Sequence, residues 1–426
     1  MMTLYNAALA PLRAVAGAWR VWDGLRHDRR EEWSERLGGR LPGQDPGGVW
    51  LHGSSVGEVR IVSRLATALR EVEPACSIAV SCFTRTGREL LPTPPAVDAA
   101  FFAPLDFRGP VRRVLASVRP ATLGLVETEL WPNLITEALG RDIAVVVLNG
   151  RLSPERMRHY RRWSRLYAPL LREIDALGAQ SQADAERFAE LGVPASRISV
   201  TANIKYDLPP PTVDLAALRA ELGIETRRPV FVAGSTAAGE DAAVLDAFEL
   251  ARKTTPELLL VLAPRHVERV ESVERLARQR GHAVARLTSA AEASGEVDVL
   301  LVDGVGRLAA LYALARVAFV GGSLVPTGGH NVLEPAAFGV PVAFGPHTDH
   351  VADPAAALEA AGGAVRVADG EELGRRIVGW LKDPAAAEAA GRSGREVLAA
   401  NRGAVAASVA LIRAQLRRAR VSRGAA

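Results

Sequence analysis

From residue 48 onward, short runs of apolar and β-branched residues alternate with longer stretches whose apolar positions recur at helical spacing. Such runs are typical of strands buried on both faces, and strands that alternate with helices form parallel sheets with right-handed crossovers. In the first half of the chain, the predicted strands are Val49–His52, Ser77–Phe83, Thr122–Val126, Ile143–Leu148 and Ile174–Gly178. In the second half, they are Val230–Ala233, Leu258–Ala263, Val297–Val302, Val317–Val320 and Val340–Phe344.

A stiff proline segment, Pro209-Pro210-Pro211, separates the two halves and is typical of a linker between domains. The predicted fold class is therefore α/β, with two doubly wound Rossmann-like domains facing a cleft. Ligands of such folds bind beyond the carboxyl ends of the strands, so the residues after each run are the candidates for a site. The predicted bounds are 1–40 for an N-terminal helical segment, 41–207 and 208–405 for the two domains, and 406–426 for a basic helical tail.

The N-terminal segment is apolar but is interrupted by Pro11, Arg13 and Arg20, so it is too short to span a bilayer, which takes about 20 apolar residues. It is either a helix packed on the core or an amphipathic helix lying in a membrane interface. The region Arg151–Arg172, rich in arginine and aromatic residues, is either a solvated helix face or a surface attracted to anionic lipid. The apolar positions of the first segment are Leu4, Leu9, Leu12, Val15, Trp19 and Trp22.

The composition, 48% apolar and 23% charged among 426 residues, is ordinary for a folded chain of two or three domains. The two cysteines, Cys76 and Cys82, cannot build a disulfide framework, so we expect a reducing compartment. No CxxC or paired Cys/His spacing occurs, which argues against a structural zinc site. Aromatic residues make up only 5% and no RNA- or DNA-binding module is recognisable, so nucleic acid is the least expected partner.

The positive charge is almost entirely arginine, because 49 arginines stand beside three lysines at a net charge of +4. A GC-rich genome explains this bias most simply, although bidentate arginine contacts also suit an acidic substrate or an anionic membrane surface. Lys205, beside the proline linker, could bind a phosphate or a carboxylate, and its position equally suits an ordinary surface lysine.

Acidic residues follow two predicted strands of the first half. Glu58 comes after the small-residue loop that follows His52, where it either caps the start of a helix or acts as a general base at the mouth of a cleft. Glu127 and Glu129 come directly after Val126. Carboxylates at the edge of a core need partners, which favours a functional role for this pair.

Glycine turns follow the strands of the second half, and turns that lead into helices expose backbone N–H groups suited to a phosphate. Glu334 lies one helical turn beyond His330, so both could ligate a metal. No third ligand is evident, and a ribose diol held by Glu334 fits better. The turns contain neither GxGxxG nor GxxxxGK[ST], so a bound NAD or a P-loop is not favoured.

Eight segments in this order resemble the bacterial 3-deoxy-D-manno-octulosonic acid (Kdo) transferases of lipopolysaccharide assembly. The resemblance extends from about Leu4 to about Ala400, nearly the whole chain. The segments that carry it are Ser55–Glu58, Phe83–Gly87, Glu127–Asn133, Asn149–Ser153, Ala179–Ser181, Pro264–Arg269, Phe319–Glu334 and Gly345–His347.

The resemblance implies a GT-B fold whose N-terminal domain receives a lipid A precursor (lipid IVA) and whose C-terminal domain binds CMP-Kdo. It also implies an inverting transfer without a metal or other cofactor, at the cytoplasmic face of the inner membrane, with the N-terminal segment as the attachment. Glu58 matches the family's general base, and Glu127 and Lys205 match groups that stabilise the transition state. The positions that match CMP contacts are Pro264, Arg265, Val305, Gly306, Arg307, Asn331, Val332, Leu333 and Glu334.

The chain departs from the family pattern at three positions. Ala237 replaces a usual histidine, Ala202 replaces a usual glycine, and Arg307 replaces the glutamate of a Gly-Glu-Leu loop. Two other classes of function stay open from the sequence. One is another GT-B enzyme, such as a UDP-sugar transferase or a 2-epimerase, and the other is a non-catalytic protein that binds anionic surfaces through its arginines.

Overall fold

The computed structural model describes residues 1–12, 29–39, 45–207, 212–292, 297–304 and 306–424. Contacts divide the chain into two compact units. The first unit comprises Met1–Asp207 together with Asn401–Ala426, and the second comprises Leu208–Ala400. The predicted positions Val15, Trp19, Trp22 and Val305 lie outside the described residues.

In the first unit, the described residues form a seven-stranded parallel sheet of order β3-β2-β1-β4-β5-β6-β7. Its central strands are buried on both faces, which explains why their sequences are almost continuously apolar. The strands are β1 (Val49–His52), β2 (Ile78–Cys82), β3 (Ala99–Phe102), β4 (Thr122–Val126), β5 (Ala144–Gly150), β6 (Ala176–Ala179) and β7 (Ile198–Val200).

Helices cover both faces of this sheet, and a separate apolar cluster lies under each layer. The helices are α1 (residues 2–12), α2 (Arg30–Arg36), α3 (Val56–Val72), α4 (Arg85–Arg88), α5 (Arg108–Val118), α6 (Pro132–Leu139), α7 (Pro154–Arg162), α8 (Ser164–Glu173) and α9 (Gln182–Leu191). Helices α5, α6, α8 and α9 pack on one face, and α3 packs on the other. Single 3₁₀ turns occur at Ala195–Arg197 and Ile204–Tyr206.

The described residues of the second unit form a second seven-stranded parallel sheet, of order β10-β11-β9-β8-β12-β13-β14. Its strands are β8 (Val230–Thr236), β9 (Leu259–Pro264), β10 (Val284–Arg286), β11 (Val299–Leu301), β12 (Val317–Val320), β13 (Val342–Phe344) and β14 (Ala364–Arg366). Its helices are α10 (Leu215–Glu221), α11 (Asp241–Arg252), α12 (Val270–Gln279), α13 (Leu308–Leu311), α14 (Leu333–Ala337), α15 (Ala352–Ala360), α16 (Gly370–Lys382) and α17 (Pro384–Ala399). Its 3₁₀ turns are Val267–Arg269, Leu287–Glu292, Tyr312–Leu314 and Asp349–Val351.

The last helix, α18 (Ala404–Gly424), belongs to the first unit. The bounds predicted from the sequence placed residues 401–405 in the second domain and 406–426 in a separate tail, and both assignments differ from the structure. Ala404, Val409, Ile412 and Leu416 of α18 are buried in the same cluster as α3. The apolar stripe of α18 thus completes one face of the first sheet.

By length and composition, Pro384–Val421 is the stretch that could cross a membrane among the described residues. Turn residues 400–403 interrupt it between α17 and α18, and the two helices belong to different units. The apolar positions of α18 are explained by packing on the first sheet.

The two parallel, doubly wound sheets confirm the predicted fold class, and all ten predicted strands occur close to their predicted positions. Four further strands, β3, β7, β10 and β14, were not predicted. Each forms an outer edge of its sheet. All four strands are only three or four residues long, and β7 and β14 are also partly exposed, so they carry a weaker apolar signal than the longer central strands.

Candidate active site

Both sheets have a point where the strand order reverses, and doubly wound folds bind ligands at such points. In the first unit the reversal lies between β1 and β4, and in the second between β8 and β12. Glu58 follows the carboxyl end of β1, and Glu127 follows that of β4. Two of the residues selected from the sequence therefore flank the ligand-binding end of the first sheet.

Glu58 lies in the first turn of α3, where it forms a capping box with Ser55. Its carboxylate accepts hydrogen bonds from the backbone N–H of Ser54 (2.5 Å) and from the hydroxyl of Ser55 (3.0 Å). Burial raises the pKa of Glu58, and the charges of Glu129 and Glu127 raise it further, whereas the two hydrogen bonds lower it by less. A carboxylate with a raised pKa accepts a proton more readily than an ordinary one. The helix-cap interpretation and the base interpretation are therefore compatible in this structure.

Glu127 has a left-handed backbone, with φ of 59°. Residues with a Cβ adopt this conformation rarely, and it is concentrated at functional sites. The backbone N–H of Glu127 donates to the carbonyl of Leu148 at 2.9 Å, so the strained turn is tied to the neighbouring strand. Its side chain forms an ion pair with Lys205, with 2.8 Å between Oε1 and Nζ.

Lys205 lies in the 3₁₀ turn that follows β7. The side chain of Asn203 accepts the backbone N–H of Lys205 at 3.0 Å. The side chain of Asn149, at the end of β5, accepts the backbone N–H of Ile204 at 2.9 Å. Hydrogen bonds from both sides therefore fix the turn that presents the lysine.

The returning C-terminal segment supports the same turn. The side chain of Asn401 accepts the backbone N–H of Asn203 at 3.0 Å. The carboxylate of Asp207 accepts backbone N–H groups from Gly403 (3.1 Å) and Val405 (2.8 Å). Residues nearly 200 positions away from Lys205 thus hold it in place, and a local sequence pattern cannot reveal such contacts.

In the second unit, a buried carboxylate that the sequence did not indicate organises the loop after β12. Glu240 is fully buried and accepts backbone N–H groups of Ala237 (2.7 Å), Gly322 (2.6 Å), Ser323 (2.8 Å) and Leu324 (2.7 Å). It connects the loop after β8 to the glycine turn after β12. In the sequence, Glu240 is an acidic residue between the glycine turn after β8 and an apolar helix. Many helices begin with such a residue, so this pattern could not identify its role.

The predicted donor-site residues Arg265 and Asn331 lie on loops at the same end of this sheet, and Glu334 lies in the first turn of α14. The Arg265 side chain is exposed and has no hydrogen bond or ion pair with the residues that the structure describes. Asn331 donates from Nδ2 to Glu334 Oε1 (3.1 Å) and accepts the backbone N–H of Leu333 (3.2 Å). Burial lowers the pKa of His330, and the charge of Arg265 lowers it further, which indicates that these two side chains are neighbours.

The remaining predicted positions differ in what they offer a ligand. Pro264 ends β9 and is buried, and the side chains of Val332 and Leu333 are buried as well, so the polar groups of these positions are those of the backbone.

Arg307 is engaged within its own unit, although Gly306, before it, has a left-handed backbone with φ of 88°. The guanidinium of Arg307 forms an ion pair with Glu221 of α10 at 2.5 Å, and both side chains are about half exposed. Arg307 thus has an acidic partner on the surface of its own unit.

Within the described ranges, no three His, Cys, Asp or Glu side chains come together in a group that could hold a metal ion. The cations near the strand ends include Lys205, which is paired with Glu127, and Arg265. The arrangement therefore offers a base and positive charges, which suit an acid–base reaction at an anionic substrate.

Comparison with known proteins gives a consistent result. A family model described as 3-deoxy-D-manno-octulosonic-acid transferase (kdotransferase) matches residues 31–208. The 3-deoxy-D-manno-octulosonic acid transferase of Haemophilus influenzae is 34% identical over 398 residues, covering 91% of this chain and 92% of the relative. The enzyme of the same name from Bordetella pertussis is 32% identical over 426 residues, covering 94% and 96%.

Among solved structures, the UDP-GlcNAc 2-epimerase of Neisseria meningitidis, bound to UDP-GlcNAc, aligns with a TM-score of 0.52. The alignment covers 86% of this chain and 99% of the epimerase, at 12% sequence identity. At that identity the likeness concerns the fold alone, which is the two-domain GT-B architecture.

Proposed function

The chain belongs to the Kdo transferases, glycosyltransferases of lipopolysaccharide biosynthesis, and on that premise we propose that it transfers Kdo from CMP-Kdo to the lipid A precursor lipid IVA with Glu58 as the general base. The observation that carries this assignment is the half-buried carboxylate of Glu58, whose pKa is raised, at the point where the strand order of the first sheet reverses. The donor CMP-Kdo follows from membership of the family, whereas the acceptor and the residue roles are our proposal.

In the proposed reaction, an acceptor hydroxyl attacks C2 of Kdo, the bond from C2 to the CMP phosphate breaks, and Glu58 takes the hydroxyl proton. The Glu58 carboxylate keeps a fixed orientation because Ser54 and Ser55 each donate a hydrogen bond to it. Its raised pKa increases its affinity for the proton it must accept. Inversion at C2 follows from a single displacement.

Negative charge that develops in the transition state needs a cation, and we assign this role to Lys205. Its ion pair with Glu127 holds the ammonium group at the same strand ends as Glu58. A fixed cation stabilises developing charge without the reorganisation that water requires. Because Glu127 sets the position of Lys205, loss of either side chain should slow transfer.

Donor binding is assigned to the second unit. Arg265 offers an exposed guanidinium without an acidic partner among the described residues, which suits the CMP phosphate. Glu334, hydrogen-bonded to Asn331, suits the hydroxyls of the ribose. We further propose that these side chains replace a metal ion, so transfer should persist in EDTA. A loss of activity that Mg²⁺ restores would contradict this part of the proposal.

The test of the base is the Glu58→Gln variant, assayed for transfer from CMP-Kdo to lipid IVA by mass spectrometry. Glutamine keeps an oxygen for the Ser54 N–H but cannot take up a proton, so kcat should fall about 10²–10⁴-fold while CMP affinity stays unchanged. Glu186→Gln, an exposed carboxylate on α9, is the matched control and should behave as wild type. A Glu58→Gln enzyme with normal turnover would refute the assignment.

We also propose that one face of the first unit rests on an anionic membrane surface, at the cytoplasmic side of the inner membrane. Helix α1 is docked through Tyr5, whose hydroxyl donates to Asp106 at 2.8 Å, and through Asn6, which accepts from Asn133 at 3.0 Å. The same helix exposes Leu4 (66%) and Leu12 (56%). Of the two interpretations of the N-terminal segment, described residues 2–12 thus combine a packed face with an apolar exposed one.

Helices α7 and α8 contribute the positive charge of this face. Trp163, between them, is 47% exposed. Exposed arginines surround it in sequence, and Tyr167 of α8 is close enough to α1 to influence the pKa of Tyr5. An exposed apolar helix beside arginines and tryptophan is typical of an interface with anionic lipid. The exposed arginines are Arg158, Arg161, Arg162 and Arg165.

A further inference from the structure

A second carboxylate at the same strand ends, Glu129, is held by donors that favour its ionised form. The indole N–H of Trp131 donates to Glu129 Oε2 at 2.6 Å. The hydroxyl of Ser54 donates to the same oxygen. His52 Nε2 lies 3.8 Å from it. Burial by itself raises the pKa of Glu129, but the hydrogen bonds of His52, Ser54 and Trp131 outweigh it and lower this pKa below its ordinary value.

The tautomer of His52 follows from the hydrogen bonds behind it. The indole N–H of Trp50 donates to Ser81 Oγ at 2.8 Å, and Ser81 Oγ lies 3.0 Å from His52 Nδ1. Ser81 is fully buried, and His52 Nδ1 is the acceptor available to its hydroxyl hydrogen among the described residues. Nδ1 therefore accepts, and the ring hydrogen lies on Nε2, which faces Ser54 and Glu129. His52 Nε2 lies 3.5 Å from Ser54 Oγ, so the chain of hydrogen bonds continues through Ser54 to the Glu129 carboxylate.

Ser54 connects Glu129 directly to Glu58. Its backbone N–H donates to Glu58 at 2.5 Å, while its hydroxyl donates to Glu129. Trp131 is itself fixed by edge contacts with His52 (ring centroids 5.6 Å apart) and Phe83 (5.2 Å). The two carboxylates therefore keep a defined separation, and the fixed charge of one acts on the other through a poorly solvated region.

We propose that Glu129 is a positioning residue whose fixed negative charge makes Glu58 a stronger base. This inference rests on the proposed role of Glu58 and adds a cause for it. The nearby carboxylate of Glu127 is less suited to this task because Lys205 neutralises it at 2.8 Å. Glu129 has polar donors but no lysine or arginine partner within the described residues, so its charge remains available to Glu58.

Other charged or titratable groups surround the pair. Glu127 and Lys205 lie at the ends of β4 and β7, and His52 at the end of β1. From α7, Arg156 donates to the hydroxyl of Thr128, and Tyr160 lies close enough to Glu129 for that charge to raise the tyrosine pKa. His52 and Tyr160 also interact with Glu129, so replacing Glu129 alters their surroundings as well. A titration of Glu58 itself therefore has to assign the shift.

The test is the pH dependence of kcat/KM in wild type, Glu129→Gln and Glu129→Asp. The activity of a base rises with pH through its pKa, and removal of the Glu129 charge lowers the pKa of Glu58. The rise of kcat/KM with pH on the acid side of the profile (the acid limb) should therefore lie at lower pH in Glu129→Gln than in wild type. The limb of Glu129→Asp, which keeps the charge, should stay near that of wild type. Substrate phosphates titrate identically in every variant, so they cannot produce the difference.

Glu186→Gln controls for the loss of any carboxylate in the first unit and should leave the limb in place. The inference is overturned if the acid limb of Glu129→Gln stays in place or moves to higher pH, even if the maximal kcat/KM of the variant falls. A merely structural role of Glu129 would lower the amplitude without moving the limb.

A direct titration keeps the test decisive if Glu129→Gln turns over too slowly. The carboxyl carbon of Glu58 is followed by ¹³C NMR in the full chain and identified by the signal that Glu58→Gln lacks. The pH at the midpoint of the Glu58 titration should be lower in Glu129→Gln than in wild type. Equal midpoints in the two proteins would refute the inference. If Glu58→Gln proves fully active, the proposed base fails, while this titration still reports separately on the effect of Glu129.

Discussion

At the scale of single residues, the strand ends of the first unit contain several residues with a Cβ in the left-handed region. Glu127, Asn149 and Ala202 have φ of 59°, 53° and 62°. Each lies where the chain leaves a strand and turns toward Lys205 or its ion-pair partner. Asparagine tolerates this region, but alanine has no polar side chain to compensate for the strain. Glycine adopts this backbone without strain, so it would fit position 202 better than alanine.

We predict that Ala202→Gly stabilises the first unit by about 1 kcal/mol, because the left-handed conformation is strained for alanine and free for glycine. The measurement is the midpoint of urea unfolding. Ala189→Gly, at an exposed helical position of α9, is the matched control and should destabilise by about 0.5–1 kcal/mol. Equal effects of the two substitutions would contradict the argument from φ.

At the scale of elements, one carboxylate joins two neighbouring helices. Glu137 of α6 accepts from Arg108 and Arg112 of α5 at 3.0 and 2.9 Å, and from Arg141 of its own helix at 2.7 Å. Burial opposes ionisation of Glu137, but the three arginines dominate and lower its pKa to about 2. The ion pairs thus fix α5 against α6, beside the loop that begins at Glu127.

We predict that Glu137→Gln destabilises the protein at neutral pH by about 1–2 kcal/mol. This is less than for a fully buried ion pair, because water screens the partly exposed arginines. The folded pKa lies below the ordinary value of 4.5. The contribution of Glu137 is therefore complete above that value and disappears as the pH falls toward 2. Unfolding free energies of wild type and variant should converge over this range. A difference that persists at pH 2 would contradict the linkage.

At the scale of the whole molecule, the chain leaves the first unit after Asp207 and returns to it at Asn401. The returning segment adds α18 to the core and fixes the turn of Lys205. The first unit also has the exposed apolar face of α1 and the arginine-rich face of α7 and α8.

We predict that Leu4→Glu combined with Leu12→Glu weakens binding to liposomes of anionic lipid at least about tenfold, because each exposed leucine contributes about 1.5–3 kcal/mol when buried. Cosedimentation measures the effect, and binding should also weaken at high salt through loss of the arginine contribution. The control is Leu90→Glu, the same substitution at a leucine of the first unit that lies outside α1 and is 47% exposed. Unchanged binding of the double variant would exclude α1 from the interface.

The sequence alone determined the architecture and the candidate residues. Ten of the strands are apolar runs that bury both faces, so their signal is local, and their ends indicated where Glu58 and Glu127 would lie. The resemblance to Kdo transferases, carried by short segments, gave the family that the comparisons establish.

The tertiary structure decided what depends on partners distant in the chain. The edge strands β3, β7, β10 and β14 are defined by pairing with a neighbour, and α18 is defined by the face of the first sheet that it covers. The ion pair of Lys205 with Glu127 and the hydrogen bond from Ser54 to Glu129 also join residues far apart in sequence. The same is true of the amides of Gly322, Ser323 and Leu324 on Glu240. Burial and hydrogen bonding at such sites are properties of the folded chain, because a local pattern fixes a residue's element but not its neighbours.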